Sequence, residues 1–423
     1  MSAAPLPATR QATRLSRWRR WWFAGIAMSL GLFAGFAIAE LLLRLLGWDY
    51  RSPYDFDGQC GVRLRPGFQY LQTSEGRARV AINSAGCRDV EHDVRKPDGV
   101  LRIAVLGDSF AEAVQVELEQ TFWRVMGKEL NDCRAMNGRR VEVLNFGVSG
   151  YGTTQELQTL RNHVWRYQPD VILLAFLPGN DLRNNSRDLE PIKGRPFYRR
   201  VGDGYELDLS LATNDGQPSF RDSWWLRTKH RLSTTFCTVA LWQRWKQART
   251  PPVSAGGSPT AIEAGVDSQA FAPPVDPRWK EAWDVTGMML GMMNDEATAH
   301  NARLVVVSLN NGHQVAFETE PAPDANAGAN DSATTPARAT WDYPDERLAE
   351  FAQTHGFELI LLTPPMRALA RQSQSYFHGF SNTRLGTGHW NVLGHQTAGE
   401  LIAHEFCRHP ELFQARRRVD AIE

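Results

Sequence analysis

The sequence predicts a three-layer α/β/α sandwich with a parallel five-stranded sheet, preceded by one transmembrane helix. Two observations predict this fold class. Five short apolar runs alternate with longer segments of helical character, which is the pattern of repeated βαβ units. In addition, residues 21–39 carry no charged side chain, and as a helix they would span roughly 28 Å at ~1.5 Å per residue, enough to cross the apolar core of a bilayer.

The N-terminal segment has the charge pattern of a membrane anchor. Several arginines and no acidic residue precede the apolar stretch, so the positive-inside rule keeps the N-terminus cytoplasmic. We therefore predict a cytoplasmic basic tail at 1–20, a transmembrane anchor at 21–46 and an extracytoplasmic remainder, as in a bacterial periplasm. A cleaved signal peptide is the alternative, because residues 37–39 form a small-residue cleavage site. Leucines that continue the apolar stretch through 41–46 favour the uncleaved anchor.

The exported part supplies the sheet and its helices. Buried parallel strands are predicted from apolar, β-branched runs at 102–106, 141–145, 171–177, 303–309 and 358–362. Helices are predicted between or after these strands at 119–130, 153–167, 280–300, 345–355 and 391–406. Because ligands gather at the carboxyl ends of parallel strands, we expect functional residues in the loops that follow them.

Segments outside this alternation complete the domain organisation. We predict a small β-rich cap at 50–100 and a main domain at 101–423 that contains an insertion at 183–278 and a mobile loop at 321–340. The insertion includes a basic stretch rich in tryptophan at 224–249. This stretch either lies on an anionic membrane surface beside the anchor or packs over the sandwich with a solvated basic face, and packing is the commoner role of such a face.

Composition excludes several classes of function. Lys plus Arg and Asp plus Glu both number 47, so no bulk attraction to nucleic acid is expected. The five cysteines form no CxxC pair and have no histidine at metal-ligand spacing, so we do not predict a metal site. In an oxidising compartment Cys60 and Cys87 could pair, although the odd number of cysteines leaves at least one free thiol.

Four short blocks carry candidate chemistry. Ser109 follows the first strand in a Gly-Asp-Ser turn, Gly150 lies in a glycine-rich turn after the second strand, Asn180 follows the third strand, and His389 precedes the final helix. Each block alone is compatible with an ordinary turn or helix cap. Together they place a hydroxyl, two hydrogen-bond donors and an imidazole at one edge of the sheet, which indicates nucleophilic catalysis.

These blocks resemble those of the SGNH (GDSL-like) hydrolase superfamily, which contribute Ser, Gly, Asn and His in this order. The resemblance covers residues 101–406 with interruptions and implies a flavodoxin-like fold without a cofactor. It implies that Ser109 attacks an ester carbonyl with His389 as general base, and that the Ser109 and Gly150 amides and the Asn180 side chain form the oxyanion hole. One position departs from the family: Gly386 stands where an aspartate usually orients the histidine. A Ser-His dyad, a backbone carbonyl and a distant carboxylate remain open, and the third triad member is left unassigned.

Three functions follow as hypotheses. The resemblance and the anchor together imply a membrane-bound esterase that acts on ester-containing substrates, such as acylated envelope glycans or lipids. An O-acetyltransferase that modifies an exported polysaccharide would form the same acyl-enzyme and is the alternative. A noncatalytic glycan-binding or scaffold protein is the third hypothesis, and the absent aspartate favours it.

Overall fold

A computed structural model describes most of the 423-residue chain. The described residues are 16–47, 51–190, 195–202, 204–209, 224–249, 261–263, 266–317 and 340–414. Most of the predicted basic tail and nearly all of the predicted mobile loop lie outside these ranges. The chain forms two compact units, one containing the N-terminal helix with residues 229–249 and the other containing the remaining residues from Pro53 onward.

The central sheet has five parallel strands. The strands of the described residues are β1 (Tyr54–Asp57), β2 (Gly61–Leu64), β3 (Gln69–Gln72), β4 (Ala78–Ala81), β5 (Leu101–Gly107), β6 (Val141–Asn145), β7 (Val171–Phe176), β8 (Phe197–Val201), β9 (Gly204–Asp208), β10 (Ala261–Glu263), β11 (Val266–Asp267), β12 (Arg303–Ser308) and β13 (Glu358–Leu361). The sheet order is β6-β5-β7-β12-β13, and every neighbouring pair is parallel. This is the 2-1-3-4-5 order of flavodoxin-like sheets, so the predicted fold class is confirmed.

Helices cover both faces of the sheet. The helices of the same residues are α1 (Arg17–Leu45), α2 (Ser109–Glu112), α3 (Phe122–Asp132), α4 (Thr153–Thr159), α5 (Pro178–Asn184), α6 (Trp224–Thr235), α7 (Cys237–Arg249), α8 (Pro277–Ala299), α9 (Gly312–Val315), α10 (Tyr343–His355), α11 (Thr363–Ser373) and α12 (Val392–Arg408). On one face α3, α11 and α12 pack over Ile103 and Val105; on the other, α4, α8 and α10 pack over Ala104 and Leu106. These four residues belong to β5, which is covered on both faces and therefore does not alternate between apolar and polar side chains.

Two helices that the sequence pattern did not indicate follow directly on strands. Helix α5 begins at Pro178, and the first turn of α11 also contains proline. Proline is tolerated there because the first amide groups of a helix have no intrahelical partner. The Pro-Gly-Asn-Asp sequence after β7 is therefore the first turn of α5, which places Asn180 on a short helix.

Residues 54–81 form two antiparallel hairpins, β1–β2 and β3–β4. Their apolar side chains share a small core with the loop after β6, made by Leu64, Phe68, Val80, Val148 and Tyr151 among others. The β3–β4 turn is thereby tied to the sandwich, and it carries a residue of the candidate site described below.

Helix α1 has a mean hydropathy of 2.1 over its most apolar window and is long enough to cross a membrane or to act as a signal anchor. Residues 229–249 belong to the same compact unit as α1. This unit therefore includes most of the basic stretch predicted at 224–249.

The suggested pairing of Cys60 with Cys87 is wrong, since both are free thiols. Cys60 is buried next to the Thr159 hydroxyl. Cys133 and Cys407 form a disulfide instead, across a sequence separation of 274 residues. The pair lies where the C-terminal ends of α3 and α12 meet, and local spacing cannot reveal such a contact.

Candidate active site

Ser109 and His389 lie in hydrogen-bond contact at the carboxyl edge of the sheet. Strand β5 ends at Gly107, and Asp108 caps α2 by accepting a hydrogen bond from the Phe110 amide at 2.9 Å. This cap makes Ser109 the first residue of the helix. The Ser109 Oγ atom lies 2.8 Å from His389 Nε2, the distance that a nucleophile and its general base require.

Glu75 completes the arrangement from the β3–β4 turn. Its Oε2 atom lies 2.6 Å from His389 Nδ1, and its Oε1 atom accepts a hydrogen bond from the His389 backbone amide at 2.9 Å. Because an ionised carboxylate only accepts hydrogen bonds, this contact assigns the imidazole proton to Nδ1 and leaves Nε2 to accept the Ser109 proton. The sequence left open a Ser-His dyad, a backbone carbonyl and a distant carboxylate, and the structure contains the distant carboxylate.

The turn that carries Glu75 is held in place by the side chain of Asn382, in the loop that precedes His389. Asn382 accepts a hydrogen bond from the Gly76 amide at 3.0 Å and donates to the carbonyl oxygens of Thr73 and Gly76 at 3.0 and 3.1 Å. The backbone on both sides of Glu75 is therefore fixed to the loop before His389. Such support is what keeps an orienting group aligned with the ring it serves.

The electrostatics of the pair suit a general base. Burial lowers the pKa of His389, but the hydrogen bond and negative charge of Glu75 outweigh burial and leave the pKa above its ordinary value. Burial raises the pKa of Glu75, yet hydrogen bonds and the charge of His389 outweigh it and leave this pKa below its ordinary value. Glu75 therefore stays ionised at neutral pH, and a carboxylate in this position can stabilise an imidazolium at His389.

Three hydrogen-bond donors remain for a developing oxyanion. Within the described part of the chain, the amides of Ser109 and Gly150 have no acceptor. Gly150 has a φ of 78°, a left-handed conformation that glycine adopts without strain. The Asn180 Nδ2 atom donates one hydrogen bond to Asp108 Oδ2 at 2.9 Å and has a second N–H to offer.

A chain of hydrogen bonds that begins at Arg195 orients Gly150 and the Asn180 side chain. Arg195 donates to the Gly150 carbonyl oxygen at 2.6 Å and to Asn184 Oδ1 at 2.8 Å. Asn184 in turn donates to Asn180 Oδ1 at 3.1 Å, which fixes the direction of the Asn180 amide group toward Asp108. Burial lowers the pKa of Arg195 to about 10, so the guanidinium remains charged at neutral pH. Nothing in the sequence pattern pointed to Arg195.

Two further carboxyl groups lie buried close to Asp108 of the site. Glu156 and Asp181 are almost fully buried, and burial together with nearby carboxylates raises both pKa values well above the ordinary range. Burial therefore favours the uncharged form of both carboxyl groups, which limits the negative charge beneath the sheet edge.

A second carboxylate approaches the histidine loop. Glu263, in strand β10, accepts a hydrogen bond from the Gly388 amide at 3.0 Å. Sequence reasoning missed both Glu75 and Glu263, because each belongs to a short turn or strand far from His389 in the chain. His395, the second histidine of this C-terminal block, is buried in the core and accepts a hydrogen bond from the Phe122 amide, so its role is structural. Among the described residues no group of histidine, cysteine and acidic side chains is arranged to hold a metal ion.

Gly388 leaves the space that the Glu75 carboxylate occupies. Its φ is +76°, and a Cβ atom there would lie 2.4 Å from Glu75 Oε1. We expect Gly388→Ala to displace Glu75 and to lower kcat by about 10²-fold, the typical cost of misplacing a catalytic group by about 1 Å. The measurement is kcat for a soluble acetate ester.

Gly386→Ala is the matched control for this substitution. Gly386 has a similar φ of +81°, but a Cβ atom there would meet the Tyr376 ring and not Glu75. Equal losses in the two variants would mean that backbone strain of the loop, and not the position of Glu75, sets the rate.

Comparison with known proteins found similar solved structures but no similar sequence family. No family model and no curated protein matches the chain. Among solved structures it is similar to the acetyl xylan esterase AlAXEase, at 10% identity and a TM-score of 0.36, with 72% of this chain and 99% of that chain covered. An acetylxylan esterase from Geobacillus stearothermophilus has 10% identity, a TM-score of 0.36 and coverages of 72% and 93%. A lipolytic protein of the G-D-S-L family from Veillonella parvula has 10% identity, a TM-score of 0.35 and coverages of 73% and 99%.

Proposed function

We propose that the chain is a serine esterase of the SGNH type with a Ser109–His389–Glu75 triad. The observation that carries this proposal is the continuous contact from the nucleophile to the acid, 2.8 Å from Ser109 Oγ to His389 Nε2 and 2.6 Å from His389 Nδ1 to Glu75 Oε2. Its position at the carboxyl edge of a parallel sheet, where loops from several strands converge, supports the same conclusion.

The arrangement performs acyl transfer in two steps. In the first, His389 Nε2 takes the Ser109 proton while Oγ bonds to the ester carbonyl carbon, and the resulting oxyanion is stabilised by the amides of Ser109 and Gly150 and the Asn180 side chain. The carbon–oxygen bond to the alcohol then breaks, and His389 returns the proton to the leaving oxygen. The acyl group remains on Ser109.

The second step releases the acyl group. A water molecule attacks the acyl-enzyme carbonyl and loses a proton to His389 Nε2, and the oxyanion forms again. The bond between the acyl carbon and Ser109 Oγ then breaks, His389 returns the proton to Oγ, and the free carboxylic acid leaves. Glu75 stays ionised through both steps and holds the ring in one orientation. If a sugar hydroxyl replaced water, the same geometry would give O-acyl transfer.

The position of Glu75 also bears on the noncatalytic hypothesis. That hypothesis drew its support from the glycine at position 386, where an aspartate is usual in the family. Because Glu75 contacts the same ring nitrogen that such an acid would orient, the absence of the aspartate no longer favours loss of catalysis.

We further propose that α1 anchors the enzyme in a membrane, with the sandwich on the extracytoplasmic side. The length and apolar character of α1, and the arginines that precede its apolar stretch, support this orientation. An enzyme held there would meet acylated envelope glycans and lipids, and these are the substrate classes we assign to it.

Product analysis tests the function and separates hydrolysis from transfer. The full chain in detergent micelles is incubated with p-nitrophenyl esters of short and long acyl chains, with and without an added oligosaccharide. We expect free carboxylic acid to be the main product, in the same yield with or without the sugar. Acylated oligosaccharide as the main product would make the chain a transferase. Release of neither product from any ester would contradict an acyl-enzyme mechanism.

A further inference from the structure

The anchor helix is joined to a second helical segment by a buried carboxylate. Glu40 of α1 accepts hydrogen bonds from the backbone amides of Cys237 and Thr238, both at 3.0 Å, and from the Thr238 hydroxyl. Arg44, which pairs with Glu40 at 2.8 Å, also donates to the carbonyl oxygen of Thr235. The first turn of α7 and the last residue of α6 are thus fixed to the C-terminal part of α1.

The same junction reaches the apolar stretch of the anchor. The rings of Phe36 and Phe236 pack edge to face with their centroids 5.3 Å apart. Phe36 lies within the uncharged stretch 21–39, one turn before Glu40. If α1 crosses a bilayer, the junction between α6 and α7 therefore lies at the depth where the anchor leaves the apolar core.

Helix α7 has an exposed apolar stripe at this depth. Leu241, Trp242 and Trp245 are 37%, 55% and 49% exposed, and the helical period places them on one side of α7. Monomeric proteins seldom leave two neighbouring tryptophans in water, whereas tryptophan is enriched where membrane proteins meet the head-group layer.

Positive charge surrounds the stripe. Lys229, Arg231, Arg244 and Lys246 are exposed, and residues 229–246 contain no acidic side chain. By the same helical period, Arg244 and Lys246 lie on opposite sides of the stripe, and Lys246 Nζ lies 5.6 Å from the centre of the Trp242 ring. An apolar stripe with flanking cations is the pattern of a helix that lies in the plane of an anionic membrane surface.

We propose that residues 229–246, the interfacial segment, bind the bilayer surface next to the anchor, with Leu241, Trp242 and Trp245 among the acyl chains and the cations on anionic head groups. The occupant of the stripe is lipid, because the segment is continuous with the anchor and its charge complements anionic head groups. The inference rests on the proposed anchor and not on the esterase activity, whose residues lie outside this segment.

The test uses the full chain reconstituted in vesicles of phosphatidylcholine and phosphatidylglycerol. Leu241→Cys is labelled with a nitrobenzoxadiazole fluorophore, and Arg139→Cys, an exposed position on the sandwich, is the matched control. Wild-type protein treated with the same fluorophore gives the background signal from the native thiols, which is subtracted. We expect the probe at 241 to be quenched by a nitroxide on the lipid acyl chain and protected from a water-borne quencher, and the control to behave in the opposite way.

Two further comparisons make the result decisive. Changing the four cations to glutamine is expected to remove the difference between anionic vesicles and vesicles of phosphatidylcholine alone. Quenching of the probe at 241 from water would overturn the proposal. Protection from both quenchers that increases with the ratio of protein to lipid would overturn it as well, because it would assign the stripe to a second copy of the chain. Ester hydrolysis measured on the same samples reports separately on the proposed function.

Discussion

Ser109→Ala is expected to lower kcat for ester hydrolysis by roughly 10⁶-fold, the loss seen when a triad nucleophile is removed. Alanine keeps the backbone amide of residue 109, so the oxyanion hole stays intact and only the covalent step is lost. The measurement is kcat for the best p-nitrophenyl ester found for the wild type. A residual rate above the uncatalysed reaction is expected, because the oxyanion hole still stabilises attack by water.

Ser373→Ala is the control for this prediction, since Ser373 is exposed at the end of α11 and its hydroxyl donates a hydrogen bond to the Leu369 carbonyl oxygen. We expect Ser373→Ala to have the turnover of the wild type, and Ser373→Ala and Ser109→Ala to have the same midpoint of thermal unfolding. Turnover that survives in Ser109→Ala at more than a few per cent would place the nucleophile elsewhere.

Glu75→Gln has the second largest expected effect, a fall in kcat on the order of 10⁴-fold with KM nearly unchanged. The side-chain amide has almost the same shape as the carboxylate, but it does not carry the charge that stabilises the imidazolium. It can also donate to His389 Nδ1, which favours the tautomer that cannot accept the Ser109 proton. Glu263→Gln is the comparison and should cost far less, because Glu263 contacts a backbone amide and not the ring.

The pH profile separates an electrostatic role of Glu75 from a purely structural one. Catalysis requires neutral His389, so the rate rises as pH increases through the pKa of this histidine, which Glu75 raises. Without the charge of Glu75 this pKa falls, and the midpoint of the variant should move to lower pH. The ratio of wild-type to variant rates is therefore largest at alkaline pH and shrinks as pH decreases. An unchanged midpoint would contradict the electrostatic role.

The sequence revealed the features that local patterns encode. Strand β5 is continuously apolar because it is covered on both faces, and the residue types that follow it are those of a strand-to-helix turn, so Ser109 was placed correctly at the sheet edge. Asn180 was also placed after the third strand, although the sequence pattern did not indicate the short helix that carries it. In these cases neighbouring residues in the sequence determine the local structure, so a short sequence window is sufficient to predict it.

The features that sequence reasoning missed depend on contacts between distant segments. Glu75 is 314 residues from His389, in a turn whose Ser-Glu-Gly sequence resembles any exposed hairpin. Arg195 is 45 residues from Gly150, and Cys133 is 274 residues from Cys407. The family resemblance predicts the orienting acid at position 386, where this chain has a glycine. No local sequence pattern indicated that the β-rich cap supplies the acid instead.

Covalent labelling by a fluorophosphonate tests the central claim most directly, because it reports on the nucleophile, its base and its acid without any knowledge of the substrate. Wild-type protein should be labelled at a single site, mapped by mass spectrometry to Ser109, with a rate that falls steeply in Glu75→Gln and to zero in Ser109→Ala. Labelling that persists in Ser109→Ala, or that proceeds at the wild-type rate in Glu75→Gln, would contradict a triad made of these three residues.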